Sequence, residues 1–210
     1  MRAGLVYDAA GNLYMGGYEN GYGNARRLFI RTPAGVYNRV IGSETGASSA
    51  DCTTPGCAVN QNIQCLSNSD AAGSCVLGPF DQRFAGGAGR LLFAEGNRIR
   101  FVKEPTNPAS GTYGTLENYT FPRSVGAFLV KYVAPNNPMN EAIDRVYYIS
   151  SDSKLYCHKF SAGADANCDD STTPLGPPVG YSNIQQGILR EDAAGTIYVM
   201  SKDQIYSYSP

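Results

Sequence analysis

All-β is the fold class this sequence predicts, on three observations. Residues favoured in strands (Tyr, Val, Ile, Thr) fall in short runs, with Gly, Pro, Asn and Asp between the runs. No stretch of useful length carries apolar residues at helical spacing. One pattern of turn, strand, short polar turn and second strand recurs from end to end.

Four segments carry that pattern. In the first, Leu5-Val6-Tyr7 and Leu13-Tyr14-Met15 flank Asp8-Ala9-Ala10-Gly11. The second is Gly89-Arg90-Leu91-Leu92-Phe93-Ala94-Glu95, turning at Gly96-Asn97 into Arg98-Ile99-Arg100-Phe101-Val102. The third runs Asp144-Arg145-Val146-Tyr147-Tyr148-Ile149-Ser150, then Ser153-Lys154-Leu155-Tyr156-Cys157. The fourth, Gly187-Ile188-Leu189-Arg190-Glu191, repeats Asp-Ala-Ala-Gly at 192–195, continues through Ile197-Tyr198-Val199-Met200 and ends with Gln204-Ile205-Tyr206-Ser207-Tyr208. In the shared turn, glycine supplies the positive φ.

Aligning Tyr14, Phe93, Tyr148 and Tyr198 gives steps of 79, 55 and 50 residues. Setting aside a cysteine-bearing insert at 43–82 brings the first step to about 39, and units of about 40–50 residues with four strands each are the arithmetic of β-propeller blades. The expected architecture is one propeller-like domain over 1–210, with blades near 3–42, 83–124, 125–182 and 185–210. In the first unit the strands A to D fall at 3–7, 12–17, 26–32 and 35–41. The last unit supplies A, B and C only, so it is an incomplete blade with an open edge.

Composition restricts the function. Charged residues make up 17% of the chain, and 17 Lys+Arg against 18 Asp+Glu leave a net charge of −1. That excludes the basic footprint of a nucleic-acid binder and a polybasic membrane-surface protein. No apolar run approaches the roughly 18 residues of a membrane span. With 24 Gly and 12 Pro the chain is turn-rich, and 42% hydrophobic residues allow a substantial core.

Six cysteines lie in loop-like sequence, which predicts disulfides and an oxidising location: extracellular, cell-surface or periplasmic. The shortest loops pair Cys52–Cys57, Cys65–Cys75 and Cys157–Cys168, each worth roughly 2–3 kcal/mol from chain entropy. Zinc is the rival reading for the first four, but paired Cys-x2–4-Cys knuckles are absent. Met1-Arg2-Ala3-Gly4-Leu5 runs into a strand without an export signal, so the expectation is a mature domain excised from a longer protein. One sequon, Asn118-Tyr119-Thr120, is present.

The segments at 11–15, 89–101 and 195–200 resemble NHL-type propeller repeats, in which a Gly-Asn-aliphatic-Tyr-Val-Ala strand runs into an Asn-Arg-Ile strand. Gly89-Arg90-Leu91-Leu92-Phe93-Ala94-Glu95-Gly96-Asn97-Arg98-Ile99-Arg100-Phe101 matches best. The absence of Trp removes the Trp-Asp repeats and the Asp-box sialidases.

Signs of chemistry are sparse. His158, the single histidine, sits in a strand with no Gly-x-Ser-x-Gly elbow to partner it, so it reads as an ordinary strand histidine. Asp165, Asn167, Asp169 and Asp170 form an acidic loop that reads as solvated. No cofactor is called for, and calcium is the one ion these oxygens could hold, although the spacing and distal glutamate of a calcium loop are missing. Asp8 and Asp192 occupy equivalent turn positions, where capping explains both.

Tyrosine is more suggestive, with 15 in the chain. Most fall in strands, but Tyr18, Tyr22 and Tyr113 lie in Gly-rich turns, where exposed aromatics stack on sugars or anchor proteins. In a propeller the B–C and D–A connections share one rim. That rim is expected to gather Tyr18, Glu19, Tyr22, Glu95, Asn97, Asp152, Lys202 and Asp203 beside the cysteine insert, whose pinning lowers the ordering cost of binding. The expected function is an adhesin-like recognition module for a surface glycan or protein, with no nucleic acid and no membrane insertion. Two alternatives stay open: a propeller-type lyase or hydrolase with carboxylates and a cation in the central channel, and an assembly unit whose open blade edge pairs with an oligomer partner or an upstream domain.

Overall fold

A computed structural model describes residues 5–18, 26–41, 52–60, 76–77, 89–111, 113–134, 142–161, 163, 165, 168–170, 174–175, 188–200 and 205–209. Apart from a 3-10 turn at Cys57–Asn60, these residues form strands, turns and bends. None of their helices is long and apolar enough to cross a membrane.

The strands form four antiparallel meanders in chain order. Sheet 1 holds β1 (Leu5–Tyr7), β2 (Leu13–Tyr18), β3 (Arg26–Arg31) and β4 (Tyr37–Ile41). Sheet 2 holds β5 (Val76–Leu77), β6 (Arg90–Glu95), β7 (Arg98–Lys103) and β8 (Leu116–Thr120). Sheet 3 has β9 (Phe128–Tyr132), β10 (Ile143–Ile149) and β11 (Leu155–Lys159), and sheet 4 has β12 (Ile188–Glu191), β13 (Ile197–Met200) and β14 (Ile205–Tyr208). The all-β expectation holds.

Two boundaries differ from expectation. Val76 and Leu77 pair with Ala94 and Phe93, so sheet 2 begins inside the region read as an insert. This strand is only two residues long, too short for alternation to show. In sheet 3 no fourth strand pairs with β11 among the described residues. A disulfide-closed segment lies there instead, with the Leu175 N–H donating to the Leu155 carbonyl at 2.8 Å.

Each sheet packs on the next through three apolar cores. Alternation along β6 sends Leu91 and Phe93 toward Tyr14, Leu28 and Ile30 of sheet 1. It sends Leu92 and Ala94 toward Phe128, Val146 and Tyr148 of sheet 3. The opposite face of β10, with Tyr147 and Ile149, meets Leu189, Ile197 and Val199 of sheet 4. Sheets 2 and 3 are therefore buried on both faces, and a fully buried Leu, Ile or Phe contributes about 1.5–3 kcal/mol.

Burial on both faces also takes in two arginines. Arg90 stacks over Phe101 and Tyr132, with its guanidinium carbon 5.2 and 5.7 Å from the ring centroids, and so bridges sheets 2 and 3. Arg100 lies over Phe93 and donates to Glu95 Oε2 and Asn118 Oδ1, both at 2.8 Å.

All four sheets point the same way. The Phe121 N–H donates to Asn97 O and the Gly126 N–H to Ile149 O, so the B–C ends of sheets 2 and 3 meet. At the other end Lys131 of β9 pairs with Glu191 of β12, and Asn12 and Thr32 of sheet 1 line one cleft with Thr106 of sheet 2.

Candidate functional site

At the A–B and C–D end, a cleft of about 570 Å³ opens between sheets 1 and 2. Its first wall comes from two turns of sheet 1. In the Asp8–Asn12 turn, Gly11 adopts φ +79°, and the Asp8 carboxylate accepts the Asn12 N–H at 2.9 Å, the Asn12 side-chain amide at 2.8 Å and the Tyr14 hydroxyl at 3.2 Å. Capping is thus what Asp8 does. Burial, reinforced by that carboxylate, pushes the Tyr14 phenol far above its ordinary range. The β3–β4 turn is held by the Gly35 N–H on Thr32 O and the Val36 N–H on Thr32 Oγ1. Asn12, Thr32 and Asn38 face the cleft.

The second wall is the connection between β7 and β8, wound around one buried carboxylate. Glu104 has φ +41° and accepts from Asn107 Nδ2 at 3.2 Å and from the Ser110 hydroxyl. This coil presents Pro105, Thr106, Pro108 and Tyr113 to the cleft.

The Cys52–Cys57 disulfide braces Tyr113 from behind. Cys52 and Leu116 exchange backbone hydrogen bonds of 3.0 and 2.9 Å, which covers the outer edge of β8. Gly56 donates to the Tyr113 carbonyl at 2.6 Å. Gly56 and Gly114 both have positive φ, and a Cβ on Gly114 would come within 3.3 Å of the Gly56 Cα, so this approach needs glycine on both sides. The described part of the cysteine region therefore serves the end of the molecule opposite the expected rim, because its backbone completes the ladder of β8. Cys157 and Cys168 are also bonded, and two disulfides fit an oxidising compartment. The expected Cys65–Cys75 pair lies outside the described residues.

At the B–C rim the expected residues separate. Glu95 is only 2% exposed and pairs with Arg100. The reason is the tight turn: Gly96 and Asn97 alone connect β6 to β7, so Glu95 is still a ladder residue, and alternation points it inward. Asn97 is exposed, and its amide donates to the Phe121 carbonyl at 3.2 Å, tying the turn to the connection between sheets 2 and 3. Asp152 is exposed and accepts the Tyr156 hydroxyl at 2.6 Å and the Lys154 N–H at 3.2 Å. Tyr18 closes β2 opposite Arg26. Glu19, Tyr22, Lys202 and Asp203 lie outside the described residues, as does Asn167.

One pairing at this rim was not legible in the sequence. The Cys157–Cys168 bond folds the acidic loop back on β11, which brings Asp170 to 3.0 Å from His158 Nδ1. Asp170 also accepts the Tyr148 hydroxyl at 2.7 Å, and its carbonyl accepts Arg123 Nε at 3.0 Å. Arg123 lies over the Tyr156 ring at 4.5 Å. Burial, with the neighbouring carboxylate, raises the phenols of Tyr148 (Asp170) and Tyr156 (Asp152). A His-x-x-carboxylate spacing would have offered a signal, but twelve residues and a disulfide separate the partners.

The acidic loop is occupied by protein partners. Asp165 pairs with Arg145, and Asp170 with His158 and Tyr148. Among the described residues no group of three His, Cys, Asp or Glu side chains is arranged to hold a metal ion. Chemically, the rim network braces β10, β11 and their crossing loop, whereas the cleft offers neutral amides, hydroxyls, proline rings, one phenol and the Ile30 side chain. No protein family model matches this chain, and no curated protein is significantly similar to it.

Proposed function

We propose that this chain is an extracytoplasmic, adhesin-like recognition module. Its four sheets act as consecutive, NHL-like propeller blades, and it binds a neutral, hydroxyl-rich ligand, a surface glycan, without chemistry. The observation that carries the reading is the makeup of the cleft between sheets 1 and 2. Its lining is uncharged, with Thr32, Asn38 and Thr106 offering donors and acceptors beside the Tyr113 ring, Ile30 and two prolines. Concave sites with a few convergent polar groups and an aromatic face are what ligand pockets are made of.

Rigidity supports the same reading. Each wall is fixed by its own backbone and carboxylate bonds, and a disulfide holds Tyr113, so little ordering remains for binding. The face-to-face packing of sheets 1 to 4 in chain order, all oriented alike, supports the blade arrangement.

A glycan array with the full chain, followed by titration of the best ligand, tests the site. Tyr113→Ala and Asn38→Ala should each weaken binding, the tyrosine by about ten-fold, the equivalent of about 1.4 kcal/mol, while the melting temperature of Asn38→Ala stays unchanged. Binding unaffected by both substitutions overturns the cleft as the site. Capture of a protein ligand with no glycan bound overturns the ligand class.

A further inference from the structure

Sheets 1 and 4 can be compared residue by residue, because they share one turn. Asp8 N–Asn12 O and Gly11 N–Asp8 O in the first are repeated as Asp192 N–Thr196 O and Gly195 N–Asp192 O in the last, each at 3.1 Å. The Tyr14 and Tyr198 hydroxyls both donate to the turn aspartate. Strand pairing then equates Leu5 with Leu189, Leu13 with Ile197, and Leu28 with Ile205.

Equivalent positions are covered on opposite faces. Leu189 is 2% exposed under sheet 3, yet its counterpart Leu5 is 62% exposed. Leu28 is 1% exposed under sheet 2, yet its counterpart Ile205 is 65% exposed. Leu5 and Tyr7 stand on the open back face of sheet 1, and Ile188, Met200 and Ile205 on the open front face of sheet 4. These are the two complementary halves of the contact that the chain builds at 1/2, 2/3 and 3/4.

We propose that a second copy of this chain covers both faces, with the front of sheet 4 in each copy packed on the back of sheet 1 in the other. Every copy carries both halves, so a head-to-tail pair buries the two apolar faces at once and needs no new type of surface. The result is a ring of eight sheets, within the four-to-eight range of propellers. This inference rests on the blade reading above but not on the cleft. It concerns sheet faces, so it is separate from pairing along an open strand edge.

Light scattering on the full chain after size exclusion, over a range of concentrations, tests it. The expected mass is that of two chains. Leu5→Glu and Ile205→Glu replace side chains that are exposed in the single chain, so folding is retained, as circular dichroism would verify. Each should weaken association at least ten-fold, about the loss expected for an interface hot spot. An equimolar mixture of the two should associate more strongly than either alone, because one of its two contacts carries no substitution. A wild-type monomer at high concentration overturns the pairing. So does a dimer insensitive to both substitutions, which would point to strand edges, and so does a mass that keeps growing with concentration. Small-angle scattering of the Leu5→Glu monomer separates the two levels. A curved four-sheet profile without wild-type association sinks only this inference, and a profile that no such array fits sinks the blade reading itself.

Discussion

Tyr14 and Tyr198 occupy the same place in the same turn, bonded to the same aspartate, yet one is fully buried and the other partly exposed. The difference is the neighbour: sheet 2 lies on Tyr14, and no described residue plays that part for Tyr198. Local sequence thus determines the turn and the tyrosine's partner, while packing order along the chain determines what each residue contributes to stability. The largest expected effect tests this directly. Tyr14→Ala should cost about 3–5 kcal/mol in urea unfolding, as for other large buried aromatics, and Tyr198→Ala far less. Equal losses would break the comparison, since they would mean that the turn bond rather than the cover carries the energy.

Sheet 2 sharpens it. Covered on both faces, it holds charges that a terminal sheet would leave in water. Glu95→Ala leaves Arg100 buried without its carboxylate and should cost about 3 kcal/mol, whereas Asn97→Ala, two residues away and exposed, should remove only one hydrogen bond, about 1 kcal/mol. Loss of ligand binding by Glu95→Ala at full stability would restore Glu95 to the ligand surface and contradict its burial.

The two disulfides form a milder pair of cases. Replacing Cys157 and Cys168 by serine should cost about 3 kcal/mol, and replacing Cys52 and Cys57 about 2 kcal/mol, because loop entropy grows slowly with loop length. The first pair also releases Asp170 from His158, so its loss should broaden and shift the His158 imidazole resonances. The second should leave them in place and instead weaken binding at Tyr113.

How much of this was legible follows from what each signal depends on. Strand positions and the repeated Asp-Ala-Ala-Gly turn are local, and turn chemistry with period-two alternation places β1–β4 within a few residues of their expected bounds. The grouping of four sheets was legible for the same reason. Three features depend on contacts distant in sequence and were not. The two-residue β5 owes its existence to Ala94 and Phe93. The burial of Glu95 depends on which face of β6 meets sheet 1. The cleft arises where turns around Asp8 and Thr32 meet a coil near Glu104, some seventy residues on, and its one legible residue was Tyr113, marked by the Gly-rich turn around it.

The smallest expected effect isolates charge within the shared turn. The Asp192 carboxyl is held below its usual range, first by the Thr196 N–H and then, against slight burial, by the Tyr198 hydroxyl and the Ala194 and Gly195 amides. A carboxyl with a depressed folded value stabilises fully above its unfolded value, about 3.9, and loses that contribution as pH falls through the lower folded value. Asp192→Asn keeps a side-chain oxygen for the turn amides and removes only the charge. Its melting temperature should therefore fall below wild type at neutral pH, and the gap should close as the solution is acidified past the carboxylate range. A gap that persists in acid would assign the aspartate's effect to turn geometry alone.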